Sequence, residues 1–269
     1  LPRSLPTISR STALSLSLSL QHTHTTLTVV MSPSSQQYTL IATCRVAVAV
    51  QAALHIIEEA IARYGIDGVA LSFNGGKDCT VLLHLWTAAV MRHLRKHPRP
   101  STSTARVPAL YVCAKDPFPE VDAFTEQCAE AYGVQLCRQP GPMRTALEQF
   151  GVAHPRVQAI LVGTRRTDPY AEQLRAFEPT DPGWPTFMRV HPILDWSYAD
   201  VWAYLRGCHV PYCVLYDYGY TSLDGMNNTR RNPALLKAAT PEGGYHPAWM
   251  LTDETKERCG RQASSSASP

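Results

Sequence analysis

The chain has 269 residues, 45% of them hydrophobic and 17% charged, with 15 Gly and 21 Pro. That composition excludes global disorder and a fibrous repeat, and the length suits one large domain or two small ones. The formal net charge is +3, but the first acidic residue is Glu58 and only Arg3, Arg10 and Arg45 precede it, so residues 58–269 set 22 basic against 22 acidic side chains. A neutral body argues against a groove tracking DNA or RNA, which needs a basic surplus, and fits small anionic substrates better. The most apolar charge-free stretch, Val46 to Ile57, is interrupted by Gln51 and His55 and falls short of the roughly 18–20 residues of a membrane span. A soluble protein with neither a nucleic-acid nor a membrane partner is expected.

Residues 1–37 are Ser/Thr/Leu-rich and free of acids, with the alternation Leu14 to Leu20, and are expected to lie outside the fold as a disordered leader or targeting segment. Three readings stay open: an organelle transit peptide, whose acid-poor composition matches; a secretory signal, whose apolar centre is diluted by serine; and a translated leader upstream of Met31. The absence of an initial methionine favours the third or an incomplete gene model. The folded domain is expected over residues 38–262, with a Ser-rich disordered tail at 263–269. Eight cysteines without a C-x-x-C pair or zinc spacing predict reduced thiols in a reducing compartment. That places the protein in the cytoplasm, or in a mitochondrion or plastid if the leader is a transit peptide.

Within the domain the predicted elements alternate. Leu40–Arg63 reads as a helix and Gly68–Phe73 as a strand. Cys79, Leu82, Leu83, Trp86, Val90 and Leu94 recur at helical spacing until Pro98–Ala105 breaks the pattern. Strand Ala109–Cys113, helix Pro119–Tyr132, strand Val134–Cys137, a short helix at Met143–Phe150 and strand Ala159–Val162 follow. Strands separated by helices predict an α/β fold with a mainly parallel sheet and helices on both faces, and ligands then bind outside the carboxyl ends of the strands.

Chemistry-bearing residues cluster at those ends. Strand Gly68–Phe73 runs into Asn74-Gly75-Gly76-Lys77-Asp78 and then a helix. The glycines let backbone N–H groups approach an anion at the helix N-terminus, and Lys77 adds a mobile cation. The loop is not a Walker A motif, which would need Gly in place of Leu71 and Ser or Thr in place of Asp78. A second donor cluster, Gly163-Thr164-Arg165-Arg166-Thr167-Asp168, follows strand Ala159–Val162 and suits a second phosphate, because guanidinium offers a bidentate fork. Further on, Ser197 and Asp200 have the spacing of a helix-start capping box. Tyr198, Val201, Trp202 and Leu205 read as a core face, and His191 as a structural hydrogen-bonding residue.

The first loop resembles the pyrophosphate loop of N-type ATP pyrophosphatases and the phosphoadenylylsulfate-reductase-like group. Gly163–Pro169, Thr180–Pro185, Phe187–Trp196, Val210–Cys213, Gly219–Ser222, Asn232–Leu235, Gly244–Trp249 and Glu257–Arg261 are similar, in order, to the motifs of eukaryotic FAD synthase in its single-domain form. That resemblance implies a modified Rossmann-like sheet with a C-terminal substrate-binding extension, FMN and ATP as small-molecule substrates, Mg²⁺ accompanying ATP, and a monomer. ATP would meet Ser72, Phe73, Asn74, Gly75, Gly76, Lys77, Asp78 and Val112. FMN would meet Gly163, Arg165, Arg166, Thr167, Asp168, Asp181, Trp184 and Arg189. Asn74, Lys77, Asp78, Arg258 and Arg261 would act in catalysis, with the Mg²⁺ ligands left open. Two other readings stand beside it: a reductase-like enzyme with Cys259, in Glu257–Arg261, as nucleophile, and a non-catalytic flavin- or nucleotide-binding module, against which the intact Lys77-Asp78 argues.

Overall fold

The computed structural model describes residues 33–98, 106–237 and 244–262, with side chains from residue 45 onward. Most of the expected leader, most of the Pro98–Ala105 break, part of the Leu235–Gly244 connection and the tail lie outside the described residues. Helix α1 (Pro33–Tyr64) reaches further back than the expected start at Leu40. Its buried residues Ala53, Leu54, Ile57, Ala60 and Ile61 fall on one helical face, which is why it packs rather than stands free.

Strand β1 (Val69–Ser72) leads into α2 (Lys77–Lys96), β2 (Pro108–Val112), α3 (Pro119–Tyr132), β3 (Gln135–Gln139), α4 (Met143–Ala153) and β4 (Ala159–Leu161). Helix α3 has the span its sequence predicts. Pro119 stands at its first position and Gly133, at φ 66°, closes it by donating to Ala129 and Glu130 carbonyls. Two further strands, β5 (Phe177–Pro179) and β6 (Met188–Val190), precede α5 (Tyr198–Gly207). These two strands were not foreseen: they lie in a proline- and turn-rich stretch, and no helix stands between them to mark them off.

The six strands form one sheet in the order β3-β2-β1-β4-β6-β5. All neighbours are parallel except β5 against β6. Alternate side chains of β1 divide the interior. Val69 and Leu71 join the large core with α1, α2, α3 and α5, whereas Ala70 joins Leu110, Ile160 and Phe187 around the fully buried Phe150 of α4. Helices therefore cover both faces, unequally. Ser197 and Asp200 form the predicted capping box at the start of α5, and Trp202 packs edge-on against Tyr198, Tyr212 and Tyr216.

The strand order reverses at β1, between β2 on one side and β4 on the other. In such sheets the crevice at that reversal is the natural ligand position, and the loops after β1 and β4 are the two that the sequence singles out. Beyond α5 the chain forms short 3-10 turns, from Val214–Tyr218 to Glu254–Lys256. The seven described cysteines are free. Among the described residues no helix is long and apolar enough to cross a membrane.

Candidate active site

The loop after β1 is shaped by close approach. Gly75 has φ 75°, and a Cβ there would lie 2.9 Å from Thr125 Cγ2, so glycine is required on both counts. Gly163, in the loop after β4, faces the start of α2 so closely that a Cβ would lie 3.0 Å from the Cys79 nitrogen and 3.1 Å from the Asp78 carbonyl carbon. The two loops are thus packed backbone to backbone at the reversal of the sheet. Asn74 Oδ1 accepts from the Gly76 N–H at 3.1 Å, and the Lys77 N–H donates to the Tyr216 hydroxyl at 2.8 Å.

Lys77 is not the mobile cation that the sequence suggests. Its ammonium is buried, lying 3.0 Å from Asp78 Oδ2 and 2.5 Å from Glu257 Oε1, beside the rings of Tyr198 and Tyr216. Arg165 closes the group. Its Nε lies 2.8 Å from Asp78 Oδ1, and its Nη2 donates to both Glu257 oxygens at 2.6 and 2.5 Å. Each cation therefore touches both carboxylates. Burial alone would depress Lys77, but Asp78 and Glu257 outweigh it and hold its pKa above the ordinary value. Burial alone would likewise raise Asp78, but Lys77 and Arg165 hold it below the usual carboxylate range. Arg165 is raised, burial being outweighed by Asp78 and Glu257. All three stay charged.

Asp168 accepts from the Arg165 N–H at 2.9 Å and lies 3.9 Å from Arg258, so Arg258 reaches the rim of the cluster. Arg261 pairs with Asp224 at 2.5 Å. Burial and the neighbouring Arg258 keep its pKa below the usual value despite Asp224.

A second group lies at the β5–β6 edge. Arg189 donates to the Pro179 carbonyl at 2.8 Å and to Asp181 at 3.2 Å, and Trp184, 40% exposed, follows a turn closed by its N–H on the Asp181 carbonyl. The residues assigned to FMN in the sequence are thereby divided. Gly163, Arg165 and Asp168 stand with the phosphate loop, whereas Asp181, Trp184 and Arg189 form the edge group. Arg166 is committed to Asp195 and to the Glu172 and Leu174 carbonyls, and Thr167 is exposed beside it.

Ser72 and Val112 are half-buried at their strand ends. Phe73, expected near adenine, has its side chain fully buried in the core and its N–H on the Leu110 carbonyl. His191 is also corrected: both its ring nitrogens are buried without a hydrogen-bond partner, and burial, then Arg189, pushes its pKa down to about 4. Reading the sequence missed Glu257 and Tyr216. Glu257 stood in a motif noted for its arginines, and an acid among them is the signal that was available. Tyr216 carries none.

The profile of the phosphoadenosine phosphosulfate reductase domain matches residues 68–154 and 137–231. A probable FAD synthase of Schizosaccharomyces pombe is 43% identical over 208 residues, 77% of this chain and 77% of that protein. The chain belongs to the FAD synthase family. A flavin adenine dinucleotide synthase of Saccharomyces cerevisiae is 30% identical over 72% of this chain and 81% of its own length. Among solved structures, Candida glabrata FMN adenylyltransferase in complex with FAD and inorganic pyrophosphate superposes with a TM-score of 0.79 at 26% identity, covering 95% of this chain and 96% of that one. The family and the fold are those that the sequence motifs implied, and the buried charge cluster lies at the reversal of that sheet.

Proposed function

We propose that this chain transfers the adenylyl group of ATP to FMN, giving FAD and pyrophosphate. The observation that carries the reading is the meeting of two glycine-bearing loops at the sheet reversal around Lys77, Asp78 and Arg165, in a chain of the FAD synthase family. A terminal phosphate oxygen of FMN would attack the α-phosphorus of ATP. The bond from that phosphorus to the β-phosphate oxygen breaks, and pyrophosphate leaves with the electron pair. A phosphate monoester is largely ionised at neutral pH, so the reaction needs no general base. The barrier is repulsion between anions and their alignment.

The start of α2 supplies backbone N–H groups and a favourable dipole to the phosphates. Lys77 and Arg165 stand beside it, paired with Asp78 and Glu257 in a group of no net charge, so they would act on the phosphates by the direction of their N–H groups, and Arg258 and Arg261 would add positive charge from the C-terminal segment. The edge group of Asp181, Trp184 and Arg189 would hold the flavin, an aromatic surface with a carboxylate able to accept from a ring N–H.

Among the described residues no group of three or more His, Cys, Asp or Glu could cage a metal, but Mg²⁺ ordinarily takes only one or two carboxylates together with substrate phosphates and waters. Asp78 fits that role. Its Oδ1 is buried and accepts no hydrogen bond, although Arg165 Nε stands near it as an ion pair. Asp78 would hold the ion, which would supply charge neutralisation at the phosphates when bound. Incubating the purified chain with FMN, ATP and Mg²⁺ and separating the flavins tests the proposal: FAD and pyrophosphate should form in equal amounts, and their absence would overturn it.

A further inference from the structure

Glu257 directly follows the 3-10 turn Glu254–Lys256, far along the chain from both loops, yet its carboxylate bridges Lys77 and Arg165. Its backbone is fixed independently of those cations. The Thr221 hydroxyl donates to the Glu257 carbonyl at 2.6 Å, and the Asn232 amide donates at 2.8 Å both to Thr221 Oγ1 and to the Lys256 carbonyl. Thr221 and Asn232 are themselves buried.

Asp78 is the neighbour of Lys77 on the same helix. Asp78 alone would keep the ammonium near the loop without fixing its direction. A carboxylate from another part of the fold does fix it, and it ties the lysine of one loop to the arginine of the other. Stability is a poor reason for such an arrangement, since well-packed apolar side chains often replace buried ion clusters at no loss. We infer that Glu257 is a positioning residue for adenylyl transfer, holding the Lys77 ammonium and the Arg165 guanidinium in one fixed orientation beside the start of α2. This rests on the activity proposed above and adds to it a residue that acts through Lys77 and Arg165 and need not touch substrate.

The test is a double-mutant cycle on the full chain, reading kcat and KM for ATP and for FMN. E257Q should lower kcat roughly 10- to 100-fold, the usual scale of one lost charged hydrogen bond, with KM for FMN within about threefold. In a K77Q background the same change should cost no more than about threefold, because the group through which it acts is already gone. Equal losses in both backgrounds, or an E257Q enzyme of normal kcat, would overturn the inference. If E257Q does not fold, E257D takes its place in the cycle, keeping the charge but withdrawing it by one methylene. A wild-type chain that makes no FAD counts against the activity itself, whereas one that makes FAD with an indifferent Glu257 counts against the positioning role alone.

Discussion

The sheet body through α5 and the segment from Cys208 to Gln262 are stabilised by different means. In the first, apolar residues at regular spacing bury themselves on helices and strands, and backbone groups pair within those elements. In the second the regular elements are 3-10 turns, and buried polar side chains, Thr221, Thr229, Asn232 and Glu257, take over the pairing. The comparison teaches that a segment without extended secondary structure can still place a charged group accurately when its amides and hydroxyls bind its own backbone. The buried charge cluster draws on both regions, with Lys77, Asp78 and Arg165 from the body and Glu257 from the segment.

The largest expected effect separates the two regions by the kind of damage. Leu161→Ala, fully buried in β4, should cost about 2–5 kcal/mol of global stability, with activity per folded molecule little changed. Asn232→Ala removes three hydrogen bonds, to the Ala234 N–H, the Thr221 hydroxyl and the Lys256 carbonyl, although the last two keep the Glu257 carbonyl and the Cys259 N–H as partners, each lost bond being worth about 0.5–1.5 kcal/mol. It should loosen the segment and lower kcat while the sheet melts as a separate, nearly unshifted transition. Calorimetry with steady-state rates on both variants checks this. A single shared transition displaced equally by both changes would mean that the regions are one cooperative unit.

Sequence patterning reveals these regions unequally, for the same physical reason. Helices α2 and α3 could be read directly, because burial on one face imposes a period, and the first four strands as short segments alternating with the helices. Strands β5 and β6 could not, being short and bounded by prolines and turns. The loop after β1 was recognisable as a candidate anion site from Gly75, Gly76 and Lys77 in register with a strand and a helix. That Lys77 is buried, and that Arg165 belongs beside it, follows from the Gly163 contact with the start of α2, which only the folded chain brings about. In the C-terminal segment only resemblance to a family offered guidance, since hydrogen bonds from Thr221 and Asn232 leave no periodic trace.

A smaller effect sharpens the division between the phosphate cluster and the β5–β6 edge. Asp78→Ala should impair ATP handling and turnover, while Asp181→Ala should weaken FMN binding roughly 10- to 100-fold, the scale of one charged hydrogen bond of about 1.5–3 kcal/mol. Titrating each variant with FMN and with ATP gives the comparison. Asp181→Ala weakening ATP as much as FMN, or leaving FMN untouched, would remove the flavin from that edge.

Acid should act on the body through its buried imidazoles. Burial pushes His84, whose Nδ1 lies 2.8 Å from the Tyr204 hydroxyl, and His191 down to about 4, against about 6.5 in an unfolded chain. Between those values the unfolded state binds more protons, so stability present at neutral pH is lost as pH falls through about 6.5 toward 4. His191 meets Arg189, which disfavours its protonation, and Glu178, which favours it. Since the ring makes no hydrogen bond, His191→Leu should leave the melting temperature at pH 7.5 nearly unchanged and flatten its decline toward pH 5. An unchanged slope would show that His191 takes up its proton without unfolding.

The smallest expected effect concerns the thiol in the irregular segment. Cys259 stands two residues from Glu257 yet is exposed, and the hydrogen bond it makes there is a backbone one, from its N–H to the Lys256 carbonyl. The matching domain profile is named for a reductase, and reduction of an adenylylated sulfate would require a nucleophilic thiol. Adenylyl transfer to FMN requires none, because the attacking atom is a phosphate oxygen and the leaving group is pyrophosphate. Cys259→Ser keeps the size and the backbone contact while removing the sulfur, so FAD formation should stay within a few-fold of wild type, and no sulfite should be released from an adenylylated sulfate by either protein. Thiol-dependent sulfite release by the wild type, abolished in Cys259→Ser, would instead make this segment the carrier of a nucleophile rather than of a counter-charge.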